Sequence, residues 1–248
     1  MRRTLLITGA SRGIGRATAR MAAARGWDVG VNYRHDRRAA DAVVAAVEAE
    51  GGRAVALAGD VTDPAAVARV FDGAEAALGR LDAVVVNAGI VAPSSPLAET
   101  TPERLRAVVE TNVLGALFCA REAARRLPRG NEEEAAALVL LSSVAARLGS
   151  AGEYVDYAAS KAAVDTLTIG LARELAGGNV RVNAVRPGLI DTEIHASGGR
   201  PTRAFDLAHL VPMGRPGTAD EVAELILWLC SPAASYVTGA VMEVTGGR

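Results

Sequence analysis

The chain has 248 residues, of which 50% are hydrophobic, 22% charged and 4% aromatic. This composition is typical of a folded globular protein and excludes disorder as the main state. The 27 Lys and Arg residues are balanced by 28 Asp and Glu residues, for a net charge of −1. The basic footprint of a nucleic-acid-binding protein is therefore missing, and we expect no nucleic-acid partner. The length suits one domain, which we expect to cover residues 1–248.

The sequence also argues against a membrane or secreted protein. No segment approaches the roughly 18 uninterrupted apolar residues of a membrane span. The apolar run Leu5 to Ile7 is too short for a signal peptide. Cys119 and Cys230 lie in apolar, helix-like stretches, which is typical of buried thiols. We therefore expect a cytoplasmic protein without a membrane partner.

Short β-type runs alternate with longer alanine-rich segments of helical period, which predicts an α/β protein with a parallel sheet covered by helices. The predicted strands are residues 4–8, 28–33, 54–58, 83–87, 137–142, 180–185 and 241–244. The predicted helices lie around residues 15–25, 39–50, 65–78, 102–127, 154–176 and 219–230.

Two segments interrupt this alternation. The acidic run 132–134 is most simply a solvated loop between a helix and a strand. Residues 189–216 are long and irregular, and include Gly-Gly-Arg-Pro at 198–201. Long irregular segments inside compact domains are often active-site lids, so we expect a substrate lid over about 189–216.

The segment T-G-A-S-R-G-I-G, residues 8–15, directly follows the first predicted strand and opens the first helix. Glycines at 9, 13 and 15 permit unusual backbone dihedrals and let a phosphate approach the main chain. The N-terminus of the following helix offers free N–H groups to that anion. The strand, turn and helix therefore predict a phosphate-binding turn.

The pattern T-G-x-x-x-G-x-G resembles the signature of the short-chain dehydrogenase/reductase family. Three further motifs are similar to those of the family: Asp60-Val61 after the third strand, Asn87-Ala88-Gly89 after the fourth, and Pro-Gly at 187–188 after the sixth. The resemblance extends from Thr4 to Gly247. It implies a three-layer Rossmann fold, with a doubly wound parallel seven-stranded sheet and helices on both faces, assembled as a homotetramer.

The segment Tyr157-Ala-Ala-Ser-Lys161 carries the strongest catalytic signal. Residues four apart share one face of a helix, so the phenol and the ammonium project to the same side. A phenol has an ordinary pKa of about 10, and a nearby cation favours the phenolate. Tyr154 has no such lysine and is interpreted as a packing or substrate-contact residue.

The resemblance implies a role for each of four residues. Tyr157 would be the general acid/base, and Ser143, fourteen residues before it and the second of two serines, would orient the reacting oxygen. Lys161 would hold the nicotinamide ribose and lower the pKa of Tyr157. Asn112 would support a water that resupplies the proton.

The resemblance also assigns a set of residues to the binding of a nicotinamide cofactor. These are Gly9, Ser11, Arg12, Gly13, Ile14, Gly15, Asn32, Tyr33, Arg34, Asp60, Val61, Asn87, Ala88, Gly89, Tyr157, Lys161, Pro187, Gly188, Ile190 and Thr192.

The end of the second strand predicts which nicotinamide cofactor is used. An acidic residue there binds the adenosine ribose of NAD, whereas an arginine accommodates the 2′-phosphate of NADP. Here Asp36 comes late, while Arg34 and Arg12 both offer guanidinium groups. The sequence predicts a preference for NADP(H), with NAD(H) possible.

We therefore expect an oxidoreductase that interconverts a carbonyl and a secondary alcohol on a small carbonyl or polyol substrate. One alternative is a 3-oxoacyl-carrier-protein reductase, for which Arg125, Arg126, Arg129 and Arg173 would form a basic docking surface that the acidic run 132–134 opposes. The other is a protein that binds NADP(H) without turnover, which the presence of Tyr157 and Lys161 disfavours.

The histidines predict no metal site. His35, His195 and His209 lack metal-ligand spacing, so we expect no metal ion. His195 and Met213 lie in the expected lid and are candidates for substrate contact.

Overall fold

A parallel sheet forms the centre of the computed structural model, which describes residues 2–248. The strands are β1 (Arg3–Ile7), β2 (Trp27–Tyr33), β3 (Ala54–Ala58), β4 (Ala83–Val86), β5 (Ala136–Leu141), β6 (Val180–Pro187), β7 (Ile190–Asp191), β8 (Gly217–Thr218) and β9 (Val241–Val244). Within these residues the sheet has seven strands in the order β3-β2-β1-β4-β5-β6-β9, and every neighbouring pair is parallel. The short strands β7 and β8 pair with each other outside it.

Helices connect the strands and cover both faces. They are α1 (Gly13–Ala24), α2 (Arg37–Ala49), α3 (Pro64–Leu78), α4 (Pro102–Val109), α5 (Gly115–Arg126), α6 (Ala145–Leu148), α7 (Val155–Leu175), α8 (Ile194–Ser197), α9 (Arg203–Asp206) and α10 (Ala219–Cys230). Helices α1, α2 and α10 pack on one face of the sheet, and α3, α5 and α7 pack on the other.

The alternation of side chains along each strand explains the two cores. Leu5 and Ile7 of β1 point into the α1/α2/α10 core, whereas Leu6 between them points into the other. All three side chains are fully buried, as expected for a parallel sheet covered on both faces. The predicted Rossmann fold is therefore confirmed.

The direction in which strands are added to the sheet reverses at β1, although all seven strands are parallel. From β1 the chain proceeds to β2 and β3 on one side, and β4, β5, β6 and β9 extend from the other side. In sheets of this kind, ligands bind beyond the carboxyl ends of the strands at the reversal point. The turns after β1 and β4 are therefore where the structure is expected to form a binding cleft.

The helix predicted over 102–127 differs from the sequence expectation. It is divided by a π-helical turn, Glu110–Leu114, between α4 and α5. The turn contains Asn112, whose side-chain amide hydrogen-bonds both main-chain groups of Ile90. π-helical turns of this kind are frequent at functional sites.

Other sequence features take the predicted form. The acidic run 132–134 is an exposed loop before β5, in which Glu133 pairs with Arg80 at 2.6 Å. Cys119 and Cys230 are buried free thiols, and burial raises the pKa of each to about 12. Within residues 2–248, no helix is long and apolar enough to cross a bilayer.

Candidate active site

Two connected cavities lie beyond the carboxyl ends of the strands. The first, called the groove, has a volume of about 390 Å³ and lies along the glycine turn after β1 and the end of β2. The second, called the pocket, has a volume of about 160 Å³ and lies between the end of β5, α7 and residues 189–203. They share Ile14, Asn87, Gly89, Thr192 and Ile194, so they form one continuous cleft.

The glycine turn fits tightly against the turn after β4. Gly9 has φ +62°, and a Cβ there would lie 3.0 Å from the Cα of Ala88. A Cβ at Gly15 would lie 2.6 Å from the carbonyl oxygen of Gly9 and 2.7 Å from Nδ2 of Asn87. Gly9 lines the groove, whereas Gly15 does not line either cavity and serves this close packing.

A carboxylate occupies the N-terminus of α1. Glu193 accepts a hydrogen bond from the backbone N–H of Gly13 at 3.1 Å and pairs with Arg16 at 2.8 Å. Burial of Glu193 opposes its ionisation, but its hydrogen bonds and the Arg16 charge outweigh burial and hold its pKa below the ordinary value. The glycine turn and helix terminus thus already bind an anion, as the free N–H groups predict. Sequence reasoning missed Glu193, although it directly follows Thr192, a predicted cofactor contact.

Both basic and acidic side chains lie at the far end of the groove. Arg34 pairs with Asp60 at 2.7 Å, and the Asp36 carboxylate accepts the N–H of Ala39 at 2.9 Å to cap α2. Arg12 is exposed, and its guanidinium has no ion-pair partner in residues 2–248.

Asn32, at the end of β2, has a structural role beside the groove. Its Oδ1 accepts the N–H of Gly9 at 3.2 Å, and its Nδ2 donates to the carbonyl oxygen of Gly59 at 3.0 Å. The amide therefore joins the glycine turn to the loop after β3.

Ser143, Tyr157 and Lys161 meet in the pocket. Ser143 follows β5, and its hydroxyl accepts the N–H of Ala145 at 3.1 Å. Tyr157 and Lys161 lie one turn apart on α7, with Nζ 5.7 Å from the centroid of the tyrosine ring. The neighbouring hydroxyl of Ser142 donates to the carbonyl oxygen of Lys161 at 3.1 Å in a buried contact. Ser142 is therefore less available than Ser143 to hydrogen-bond a substrate.

Burial sets the ionisation of both α7 residues. It raises the pKa of Tyr157, and neither the hydrogen bond with Ser143 nor the Arg203 charge offsets this. Burial lowers the pKa of Lys161 to about 8, with Asp165 opposing it. The sequence analysis expects Lys161 to lower the pKa of Tyr157. In the structure the pKa of Tyr157 lies above its ordinary value, because desolvation of the phenolate has the largest effect.

Asn112 lies behind the pocket and does not line either cavity. Its Nδ2 donates to the carbonyl oxygen of Ile90 at 2.9 Å and to the hydroxyl of Ser160 at 3.1 Å. A Cβ on Gly89 would lie 3.2 Å from Oδ1 of Asn112 and 3.3 Å from Nζ of Lys161. Both side chains therefore adjoin Gly89.

The predicted cofactor set falls largely on the cleft. Every member except Gly15 lines the groove or the pocket. Within residues 2–248, no cluster of three His, Cys, Asp or Glu side chains is arranged to hold a metal ion.

Residues 189–216 fold into short elements, β7, α8 and α9, and several of them line the pocket. His195 lines it and donates from Nε2 to the carbonyl oxygen of Ile190 at 2.8 Å, while burial lowers its pKa. Met213 is 66% exposed and does not line either cavity. Sequence reasoning missed Arg203 and Arg248, which also line the pocket. No motif or spacing connects either arginine to Tyr157.

Comparisons with known proteins show which family the chain is similar to. A family model described as enoyl-(acyl carrier protein) reductase matches residues 9–248. An Escherichia coli K12 protein described as an uncharacterized oxidoreductase, YgfF, is 48% identical over 98% of each chain. The cis-4-hydroxycyclohexanecarboxylate dehydrogenase of Sinomonas cyclohexanicum is 40% identical over 99% of this chain and 96% of its own.

A solved structure shows the same fold with a nicotinamide cofactor. The 3-ketoacyl-(acyl-carrier-protein) reductase of Brucella melitensis, complexed with NADH, superposes with a TM-score of 0.91 at 29% identity, over 99% of this chain and 98% of its own. The sequence matches, the fold and the cleft together show that the chain belongs to the short-chain dehydrogenase/reductase family and is an oxidoreductase acting on CH–OH and C=O groups.

Proposed function

We propose that this enzyme uses NADP(H) to interconvert a small ketone and the corresponding secondary alcohol, with Tyr157 as the general acid/base. The observation that carries the proposal is the meeting of Ser143, Tyr157 and Lys161 in a pocket that opens directly into the groove. A protein that only bound the cofactor would have no need for a phenol and an ammonium beside the shared boundary of the two cavities.

The groove fits a dinucleotide. Its glycine turn binds the carboxylate of Glu193 at a helix N-terminus, which is where a pyrophosphate is expected to bind. Gly9 and Gly13, both at positive φ, have no side chains that would block access to the main chain at this point. Gly13 and Thr192 would hold the pyrophosphate, and Lys161 the nicotinamide ribose. When bound, the nicotinamide supplies or accepts the hydride.

Tyr157, Ser143 and Lys161 would have different roles in proton transfer to the substrate oxygen. The raised pKa keeps the Tyr157 phenol protonated at neutral pH, so it is ready to donate a proton to a carbonyl oxygen during reduction. The Ser143 hydroxyl would hydrogen-bond the same oxygen. Alcohol oxidation needs the phenolate, so the oxidation rate is expected to rise with pH. After reduction the phenol must regain a proton, which would reach Tyr157 past Lys161 from a water supported by Asn112, the neighbour of Lys161 across Gly89.

Replacing Tyr157 by Phe tests the catalytic assignment. We expect Tyr157→Phe to lower turnover at least 100-fold, because positioned acid/base groups contribute about 10²–10⁴ in rate. NADPH affinity should change less than threefold, since the phenol hydroxyl is only one of many groups in the predicted cofactor set. The measurement is NADPH oxidation at 340 nm against ketones, diketones, aldehydes and 3-oxoacyl esters, with NADPH binding followed by fluorescence.

Tyr236→Phe is the matched control, because Tyr236 is fully exposed and does not line the cleft. Undiminished turnover in Tyr157→Phe would contradict the proposed role. Tight NADPH binding without turnover of any substrate in the wild-type enzyme would favour the binding-only alternative.

The preference for NADP(H) rests on Arg12 and Arg34. Both line the far end of the groove, where a guanidinium can bind a 2′-phosphate bidentately. The carboxylate nearest the end of β2, Asp36, is engaged in capping α2. Asp60 is paired with Arg34 and also accepts the N–H of Thr62 at 3.0 Å.

Alanine substitutions test this preference. We expect Arg12→Ala and Arg34→Ala each to weaken NADPH binding about tenfold, because a hydrogen bond to a charged group contributes about 1.5 kcal/mol or more. NADH binding should change less than threefold. Arg38→Ala, at an exposed position outside the groove, is the control. An equal loss for both cofactors would show that the arginines do not recognise the 2′-phosphate.

Glu193 is expected to compete with the cofactor. Its carboxylate holds the Gly13 N–H, so pyrophosphate binding must displace it. We expect Glu193→Gln to tighten NADPH binding about fivefold, since one charge at a helix N-terminus contributes about 1 kcal/mol. Glu224→Gln, which removes an exposed partner of Arg25, is the control. Binding is measured by fluorescence titration at low ionic strength. Weaker binding by Glu193→Gln would instead make Glu193 part of the cofactor site.

A small substrate agrees better with the surface than a carrier protein does. Arg126 already pairs with Asp72, Glu75 and Glu122, and the nearly buried Arg129 pairs with Asp82. These arginines are therefore neutralised within the chain. The Sinomonas relative is named for a secondary alcohol on a ring, which is the kind of substrate we propose. We also propose that residues 189–216, several of which line the pocket, form its lid.

We infer that the enzyme is a homotetramer. Apolar side chains are exposed along the helices that cover one face of the sheet: Val109 and Leu117 of α4 and α5, and Ile169 of α7. Helix faces of this kind are typical of subunit interfaces. A second copy of the same helices would cover them.

Charged substitutions test this assembly. We expect Leu117→Asp and Ile169→Asp to lower the mass measured by light scattering from four subunits to two or one, because each buries a charge in the interface. Leu210→Asp, at an exposed site outside these helices, should leave the mass unchanged. A wild-type enzyme of monomer mass would contradict the inference.

A further inference from the structure

The charged groups lining the pocket are all cationic. They are Lys161, Arg203 and Arg248, and no Asp or Glu from residues 2–248 lines it. Lys161 donates to the carbonyl oxygen of Leu141 at 2.7 Å, at the side of the pocket next to the groove. The two arginines have no part in the catalytic scheme and need another explanation.

Arg203 is held rigidly. Its side chain is 12% exposed, Nη2 donates to Oε2 of Glu153, and the guanidinium lies 5.0 Å from the ring centroid of Tyr154. Its Nε–H is buried and has no hydrogen-bond partner among residues 2–248. A buried donor without an acceptor costs free energy, and this cost is removed when a ligand oxygen reaches it.

Arg248 presents a second guanidinium. Its main-chain oxygen accepts a hydrogen bond from Arg147 at 2.8 Å, which fixes the backbone. Its own side chain has no hydrogen-bond or ion-pair partner in the described part of the chain. Burial and the Arg203 charge lower the pKa of Arg248, with the Glu153 charge opposing them, so the two cations are close enough to repel each other. An anion bound between them removes this repulsion.

Glu153 does not cancel these charges. It is shared between Arg203 and Arg200, the latter at 3.1 Å, and it does not line the pocket. The Glu153 charge also acts on Arg248, so one carboxylate faces three guanidinium groups. The pocket keeps a positive potential at its arginine end.

Much of the remaining wall is apolar, although polar side chains such as Ser150 and His195 also line it. Val91, Leu148 and Leu189 line the pocket together with Ser143 and Tyr157. Sugar hydroxyls facing Val91, Leu148 and Leu189 would have no hydrogen-bond partners there, which is unfavourable. A short hydrocarbon body would fit them well.

From these observations we propose that the substrate is a keto acid or hydroxy acid whose carboxylate binds Arg203 and Arg248 while its carbonyl or hydroxyl group faces Ser143 and Tyr157. This inference rests on the proposed function, and it adds the substrate class. Arg203 and Arg248 are then specificity-determining residues.

Pairs of ketones that differ only in charge test the proposal. The pairs are 4-oxocyclohexanecarboxylate with its methyl ester, and 4-oxopentanoate with its methyl ester. We expect kcat/KM to be at least tenfold higher for the acid of at least one pair, mostly through KM. Arg248→Gln and Arg203→Lys should each lower kcat/KM for that acid at least tenfold and leave the ester within threefold. Arg203→Lys keeps the charge but loses the planar fork.

Arg200→Gln is the matched control, because Arg200 also pairs with Glu153 but does not line the pocket. It should leave both members of each pair unchanged. Equal kcat/KM for acid and ester, or equal losses for both in Arg248→Gln, would overturn the proposal. A preference for dihydroxyacetone phosphate over both acids would assign the arginines to a phosphate instead, and would also overturn it.

A binding measurement separates this proposal from the proposed function. Tyr157→Phe enzyme loaded with NADP⁺ is titrated calorimetrically with cyclohexanecarboxylate and its methyl ester. Binding of the acid at least tenfold tighter than the ester, lost when Arg248→Gln is added, supports the carboxylate site whether or not any ketone is turned over. Equal binding of acid and ester contradicts the site even if ketones are reduced.

Discussion

The contact between the turn after β1 and the turn after β4 is the constraint on which the site depends. The Thr8 hydroxyl accepts the N–H groups of Asn87 and Ala88 at 3.0 and 3.1 Å, and Asn87 returns hydrogen bonds to the carbonyl oxygens of Thr8 and Gly9 at 2.9 and 3.0 Å. Glycine at 9 and 15 is needed for this approach. The same contact fixes the N-terminus of α1 in the groove and places Gly89 beside Lys161, so the groove and the pocket are built together.

Features with a local physical cause could be predicted from the sequence. Strand β5 is buried at every residue, as its continuous apolar run predicts. The glycine turn and the Tyr157/Lys161 spacing likewise follow from backbone geometry. Glu193, Arg203 and Arg248 could not be predicted, because their roles depend on how residues 189–216 fold back and on contacts between distant parts of the chain. The π-helical turn at Asn112 could not be predicted either, because Asn112 hydrogen-bonds Ile90 in a distant part of the sequence.

Burial has opposite effects on the two α7 residues, and this bears on the direction of catalysis. It raises the pKa of Tyr157 and lowers that of Lys161 to about 8, so both groups are driven towards their neutral forms. A neutral phenol is a proton donor. Burial therefore favours the protonation state needed for carbonyl reduction, and a phenolate requires either higher pH or an additional positive charge beside the ring.

The two ends of the cleft differ in how they receive an anion. In the groove, each carboxylate already has a partner: Asp36 caps α2, Asp60 pairs with Arg34, and Glu193 holds Gly13 and Arg16. At the glycine turn an incoming phosphate exchanges with the Glu193 carboxylate, so its net gain there is modest. In the pocket, Arg203 has an unpartnered Nε–H and Arg248 has no acidic neighbour on the lining. An anion there adds interactions and removes none. We therefore expect charge at this end to contribute more to discrimination between substrates than the glycine turn contributes to cofactor affinity.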